Sequence, residues 1–87
     1  MADYRILIKS SAAKEIEAVD AKGERQRIVA RIWALARQPR GQGSEKLAGY
    51  ADRYRVRQGR FRIVYLIDDR RNEVTIFKVG QRKDVYR

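Results

Sequence analysis

Residues 53–67 read RYRVRQGRFRIVYLI, and the pattern of this stretch decides the fold. Before Gly59, the residues Arg53, Arg55 and Arg57 alternate with Tyr54 and Val56, the two-residue period of a strand with unlike faces. After it, Phe61 to Ile67 is a dense β-branched and aromatic run, the composition of a central strand buried on both sides. Gln58-Gly59-Arg60 supplies a tight turn, so the stretch predicts a β-hairpin.

Working outward, Asp68 to Asn72 reads as a second turn and Val74 to Val79 as a third strand of the same meander. Gly80 is expected to end that strand, and 81–87 to form a polar tail. Upstream, Pro39, Gly41 and Gly43 mark a polar loop. Glu24 to Gln38 reads as a stronger helix: Ile28, Ile32 and Leu35 line one stripe, and Val29, Trp33 and Ala36 widen it. Ala12, Ile16 and Val19 define a shorter helix, with Ser10 or Ser11 as its cap and Asp20 to Gly23 as its end. Tyr4 to Ile8 alternates as a first strand. The expected fold is α+β, in the order β-α-α-β-β-β: a twisted, mainly antiparallel sheet with a two-helix hairpin packed on one face. All of 1–87 is expected to be one domain.

Composition narrows the chemistry. The 87 residues include no Cys and no His. Disulfides, thiol nucleophiles, Ser-His-Asp triads and the usual zinc ligand sets are excluded, so no metal and no cofactor is expected. No apolar run approaches the roughly 18 residues that cross a bilayer, so a cytoplasmic protein without a membrane partner is expected. The net charge is +10, of which +3 falls on residues 1–45 and +7 on 46–87. Such a bias points to a polyanion or an acidic protein partner.

Arg53, Arg55, Arg57, Arg60 and Arg62 fall within ten residues. On paired strands, 53, 55 and 57 share a face, and 62 comes near them across the turn. Guanidinium forks match phosphate oxygens, while like charges this close repel unless a ligand offsets them. The alternative is a solvated strand face. A second basic group, Arg82, Lys83 and Arg87, accompanies Tyr86, whose phenol can stack on a base or exchange a proton; its alternative is a frayed tail. Tyr4, Tyr50, Tyr54, Tyr65, Phe61 and Trp33 are expected in the core or at its edge.

The series Glu45-Lys46-Leu47-Ala48-Gly49-Tyr50, Tyr54-Arg55-Val56-Arg57, Gly59-Arg60-Phe61-Arg62-Ile63-Val64-Tyr65, Val79-Gly80-Gln81-Arg82 and Asp84-Val85-Tyr86 resembles the RelE/ParE toxin superfamily over almost the whole chain. The RelE branch of that superfamily implies a ribosome-dependent endoribonuclease that cuts mRNA in the decoding site without a metal. It also implies a cognate antitoxin that neutralises the toxin, with operator DNA reached only through the complex. By the same resemblance Arg62, Arg82, Tyr86, Arg55 and Arg57 are the catalytic candidates. Lys46, Arg53, Arg60, Lys83 and Arg87 are candidates for RNA and ribosome binding. Positions 55 and 57 are lysine in the familiar RelE toxins, and an arginine effectively never gives up its proton. Gln81 likewise stands where many relatives have His or Lys. Two other functions fit the resemblance: a ParE-type poison of DNA gyrase, and a catalytically weak corepressor held by its antitoxin.

Overall fold

A computed structural model describes residues 3–81. These form β1 (Arg5–Ile8), α1 (Ser10–Glu17), α2 (Lys22–Ala34), β2 (Ser44–Lys46), β3 (Arg53–Gln58), β4 (Phe61–Asp68) and β5 (Glu73–Gln81). The five strands make one sheet in the order β1-β5-β4-β3-β2. The β2-β3, β3-β4 and β4-β5 pairs are antiparallel, and β1 joins β5 in parallel. The α+β architecture is therefore the one expected, with one strand added at the β2 edge.

One core forms between the helices and one face of the sheet. Ala12, Ile16 and Val19 meet Ile28, Ile32 and Leu35 over Val56, Phe61, Ile63, Tyr65, Ile67, Val74, Ile76 and Val79. On β4, Ile63, Tyr65 and Ile67 face this core, while Val64 is buried toward the other side by its neighbours. The expectation of a strand buried on both faces holds. Gly59 has φ +60° between the paired residues Gln58 and Phe61, the geometry of a two-residue hairpin with glycine at its first central position.

Several local expectations are corrected. Trp33 is 58% exposed, not core. Ile28, Ile32 and Leu35 hold the inward stripe; Trp33 lies one residue, about 100°, further round the helix and leaves it. Val29 is exposed for the same reason, and Tyr50 is exposed on the loop before β3. Helix α2 starts at Lys22 and ends at Ala34, closing in a tighter turn in which Ala36 and Arg37 donate to Trp33 and Ala34 carbonyls. Helix α1 follows Lys9, and no side chain caps it. Gly80 does not end β5, which continues through Gln81.

The sheet edge and the loop end are tied by side chains. Beyond the end of β1, Glu15 of α1 accepts from the Val79 backbone N–H and pairs with Lys78. It thus covers part of the β5 edge that β1 leaves unpaired. At the opposite end, Asp69 accepts from the Tyr4 hydroxyl at 2.6 Å and from both Arg40 terminal nitrogens, and Arg40 Nε donates to the Tyr54 hydroxyl. The Arg40 hydrogen bonds hold the Asp69 carboxyl below its ordinary pKa, and the bond to Asp69 raises that of Tyr4. Tyr54 stacks on Tyr65, whose buried hydroxyl donates to the Pro39 carbonyl at 2.6 Å. Burial pushes the Tyr65 phenol up to about 12. Among the described residues, no helix is long and apolar enough to cross a membrane.

Candidate active site

The face of the sheet turned away from the helices carries the arginines, and strand register places them. Residues directly opposite on paired strands share a face. Arg57 pairs with Arg62, Arg55 with Val64 and Arg53 with Leu66. On the other flank of β4, Arg62 pairs with Gly80. One row across three strands thus reads Arg57, Arg62, Gly80, with Gly80 adding no side chain to it.

Arg62 is the unusual member. It sits in the central strand and is 4% exposed. Its Nε is buried without a hydrogen-bond partner among the described residues. Directly opposite lies exposed Arg57, another cation. Opposed side chains have Cβ atoms about 4.5–5.5 Å apart, and like charges there are destabilising. A buried donor left unsatisfied costs about 1–3 kcal/mol, and more when charged. Two arginines at opposed strand positions, with no carboxylate paired to either among the described residues, form a slot that an anion completes.

The other arginines of the hairpin have partners. Arg55 pairs with Glu45 of β2 at 2.8 Å, so its charge is partly offset within the sheet. Arg60, in the turn, makes two 3.0 Å hydrogen bonds to Glu24 in the first turn of α2, which clamps the hairpin tip to the helix. Arg53 lies over the rings of Tyr50 and Phe77, at 4.4 and 4.8 Å from their centroids. Lys46 pairs with Tyr54, whose ring packs toward the core, and so lies on the other face from Arg55 and Arg62. The structure therefore brings Arg57 and Arg62 to opposed positions on paired strands, sets Arg55 and Arg53 alongside them already engaged, and separates Arg60 and Lys46 from the row. Arg82, Lys83, Tyr86 and Arg87 lie outside the described residues. The Glu24–Arg60 clamp joins positions 36 apart, which no local pattern reveals; the opposite charges alone hint at it.

Comparison with known proteins agrees with this architecture. The sequence model of a family described as the ParE toxin of type II toxin-antitoxin systems, parDE, matches residues 3–86. Among solved structures, the RelE–RelB complex of the archaeon Pyrococcus horikoshii contains a chain 25% identical to this one, with a TM-score of 0.81 over 92% of this chain and 96% of that one. The Escherichia coli RelBE toxin-antitoxin complex matches at 25% identity and TM-score 0.77, over 90% of this chain and 95% of that one. The RelBE2 complex of Mycobacterium tuberculosis, at 23% identity, shares the fold with a TM-score of 0.80, covering 92% and 99% of the two chains. No curated protein sequence matches. A family match spanning nearly the whole chain, on a fold shared with RelE toxins, has one reading: the chain belongs to the ParE toxin family of type II toxin-antitoxin systems.

Proposed function

We propose that this toxin is a RelE-type endoribonuclease that cuts mRNA on the ribosome, with Arg62 and Arg57 binding the phosphate at the cut. The observation that carries the reading is the buried Arg62 Nε, without a hydrogen-bond partner among the described residues, at the strand position opposite Arg57. A fold that keeps such a group in its central strand needs a compensating anion.

In the proposed reaction the RNA's 2′-oxygen attacks the adjacent phosphorus and the bond from phosphorus to the 5′-oxygen breaks. The products are a 2′,3′-cyclic phosphate and a 5′-hydroxyl, with the 2′ proton lost to solvent or a nearby group and a proton gained by the leaving oxygen. Negative charge grows on the phosphate oxygens in the transition state, and preorganised donors there are often the largest catalytic contribution. Arg62 meets this need because its strand already fixes it. Arg57 strengthens the field but cannot serve as a base, since a guanidinium keeps its proton. Much of the rate then comes from in-line alignment, which is worth several kcal/mol when the geometry is held. The ribosome supplies part of that alignment, so free RNA is a poor substrate.

By its resemblance to RelE toxins, Arg82 holds the scissile phosphate or aids the leaving oxygen. Tyr86 stacks on the neighbouring base or moves a proton. Arg53, Arg60, Lys46, Lys83 and Arg87 add field that steers the protein to ribosomal RNA. The partner is a cognate antitoxin, as the RelB chains are for the related structures, and operator DNA is contacted only through that complex.

A second reading is favoured by the family match itself: ParE-type poisoning of DNA gyrase. Induced expression separates the two. The nuclease reading expects protein synthesis to stop within minutes and the Arg62→Ala variant to be harmless. Continued translation with accumulating DNA breaks, unchanged in the Arg62 variant, supports the gyrase reading instead.

A further inference from the structure

A cavity of about 420 Å³ opens at the C-terminal end of α2, lined by Arg31, Ala34, Arg37, Gln38, Gly41 and Gln42. Its lining residues include two arginines and two glutamines and no acid. The loop is shaped around one of those cations: Arg31 Nη2 donates to the Gln42 carbonyl at 2.8 Å. Gly43 has φ +90°, and a Cβ there would sit 3.0 Å from Arg31 Nη2, so the loop needs glycine at this point. Arg37, in contrast, is exposed and pairs with nothing among the described residues. Four residues before it, on the preceding turn, stands Trp33, the chain's single tryptophan and 58% exposed.

A large exposed ring in the last turn of α2, next in sequence to the cavity-lining Ala34, and a basic cavity with no acid among its lining residues suit one class of ligand. We infer that this end of α2 is a second nucleic-acid site, in which an unpaired base stacks on Trp33 and its phosphate enters the Arg31–Arg37 cavity. Stacking on an aromatic face is sequence-tolerant, and guanidinium groups hold the backbone by charge-assisted hydrogen bonds. An acidic protein segment would use the cations but gain nothing specific from an exposed indole next to them.

The site stands apart from Arg62 and does not rest on the nuclease reading. Glu24, in the first turn of α2, holds the hairpin tip next to the Arg57–Arg62 pair, whereas Arg37 lies past the other end of the helix, about 20 Å away at 1.5 Å per residue. The loop that forms the cavity is also anchored at that far end, through Pro39 to Tyr65 and Arg40 to Asp69. A strand bound there is an anchor remote from the cut.

The single tryptophan makes the test direct. The full chain is titrated with a short single-stranded RNA bearing 2′-O-methyl sugars, which cannot be cut by its own 2′-oxygen, and Trp33 fluorescence is followed. Saturable quenching that persists in Arg62→Ala is expected. Arg37→Glu should weaken binding about tenfold or more, as loss of a charge-assisted bond does. With a labelled strand followed by anisotropy, Trp33→Ala should weaken it by a similar factor, about tenfold. Arg37 and Trp33 are exposed, so both variants fold; circular dichroism verifies this. A deoxyribose strand that binds equally well also supports the site and assigns recognition to base and phosphate rather than the 2′ position. Absence of quenching, or quenching indifferent to Arg37→Glu, overturns the inference. So does an acidic peptide that quenches Trp33 as strongly as RNA with the same Arg37 dependence.

Discussion

Replacing Arg62 by Met should make the protein more stable and less active, and the size of both effects follows from its surroundings. Met keeps the apolar stem in its place in the central strand and removes the buried Nε donor, which has no partner among the described residues. Relief of an unsatisfied buried donor is worth about 1–3 kcal/mol. Relief of the like-charge pairing with Arg57 adds about 0.2–1 kcal/mol. Lost contacts of the guanidinium with its neighbours work against this, so a net gain of about 1–3 kcal/mol is expected. For a domain of this length each kcal/mol moves Tm by about 4–8 °C. Thermal and urea unfolding of both forms in low-salt buffer without phosphate measures the difference. Adding phosphate should then raise the stability of the native chain and leave the Met variant nearly unchanged, because only a ligand that binds the folded site stabilises it. Cleavage should fall about 10²- to 10³-fold, the effect of removing one preorganised donor. A Met variant that is less stable by 1 kcal/mol or more, with no phosphate effect in either form, refutes the reasoning: Arg62 would then be satisfied within the fold and held for structure alone.

Other predictions follow from the core and from the two tyrosine-centred networks. Ile32→Ala should lose about 2–5 kcal/mol, since Ile32 is fully buried, while Trp33→Ala beside it should change stability by no more than about 0.5 kcal/mol; urea unfolding compares them. The Tyr65 phenol titrates at about 12 when folded against 10.0 ordinarily, so its contribution is whole below pH 10 and is lost as pH climbs to about 12. Alkaline unfolding should therefore weaken the protein by about 2–3 kcal/mol across that interval, and Tyr65→Phe should flatten this part of the pH profile. Asp69 works in the opposite direction: its pKa is lowered by Arg40, so its contribution is present above the ordinary carboxylate value of 3.8 and disappears as pH falls through the lower folded value. Asp69→Asn should remove that acid-sensitive part of the stability profile, measured by unfolding between pH 5 and 2.

The sheet was readable where composition and period agree. The run from Phe61 to Ile67 has no polar residue except Arg62 in a strand shielded on both sides, and the glycine turn before it sets the register that pairs Arg57 with Arg62. That register is why the opposition of Arg57 and Arg62 on neighbouring strands could be read from the chain alone. The errors have equally local causes. Trp33 sits next to a true inward stripe and differs from it by one helical step, which hydrophobicity does not resolve. Strand β2 is three polar residues at a sheet edge, too short and too hydrophilic to show a period. Gly80 looks like a strand end because glycine disfavours strands, but its place opposite the bulky Arg62 is within the ladder. The partners of Arg55 and Arg60 were hidden because Glu45 and Glu24 reach them only after folding; tertiary pairing, unlike periodicity, leaves no local mark.

The proposed function assigns the cutting of ribosome-held mRNA to the Arg57–Arg62 slot. Its most direct measurement is the mapping of RNA ends in a translating extract supplied with the native chain or with Arg62→Ala. New 5′-hydroxyl ends inside ribosome-bound codons, made by the native chain and nearly absent with the variant, are the result expected. Intact mRNA in both extracts, or identical cuts from both proteins, would contradict the claim.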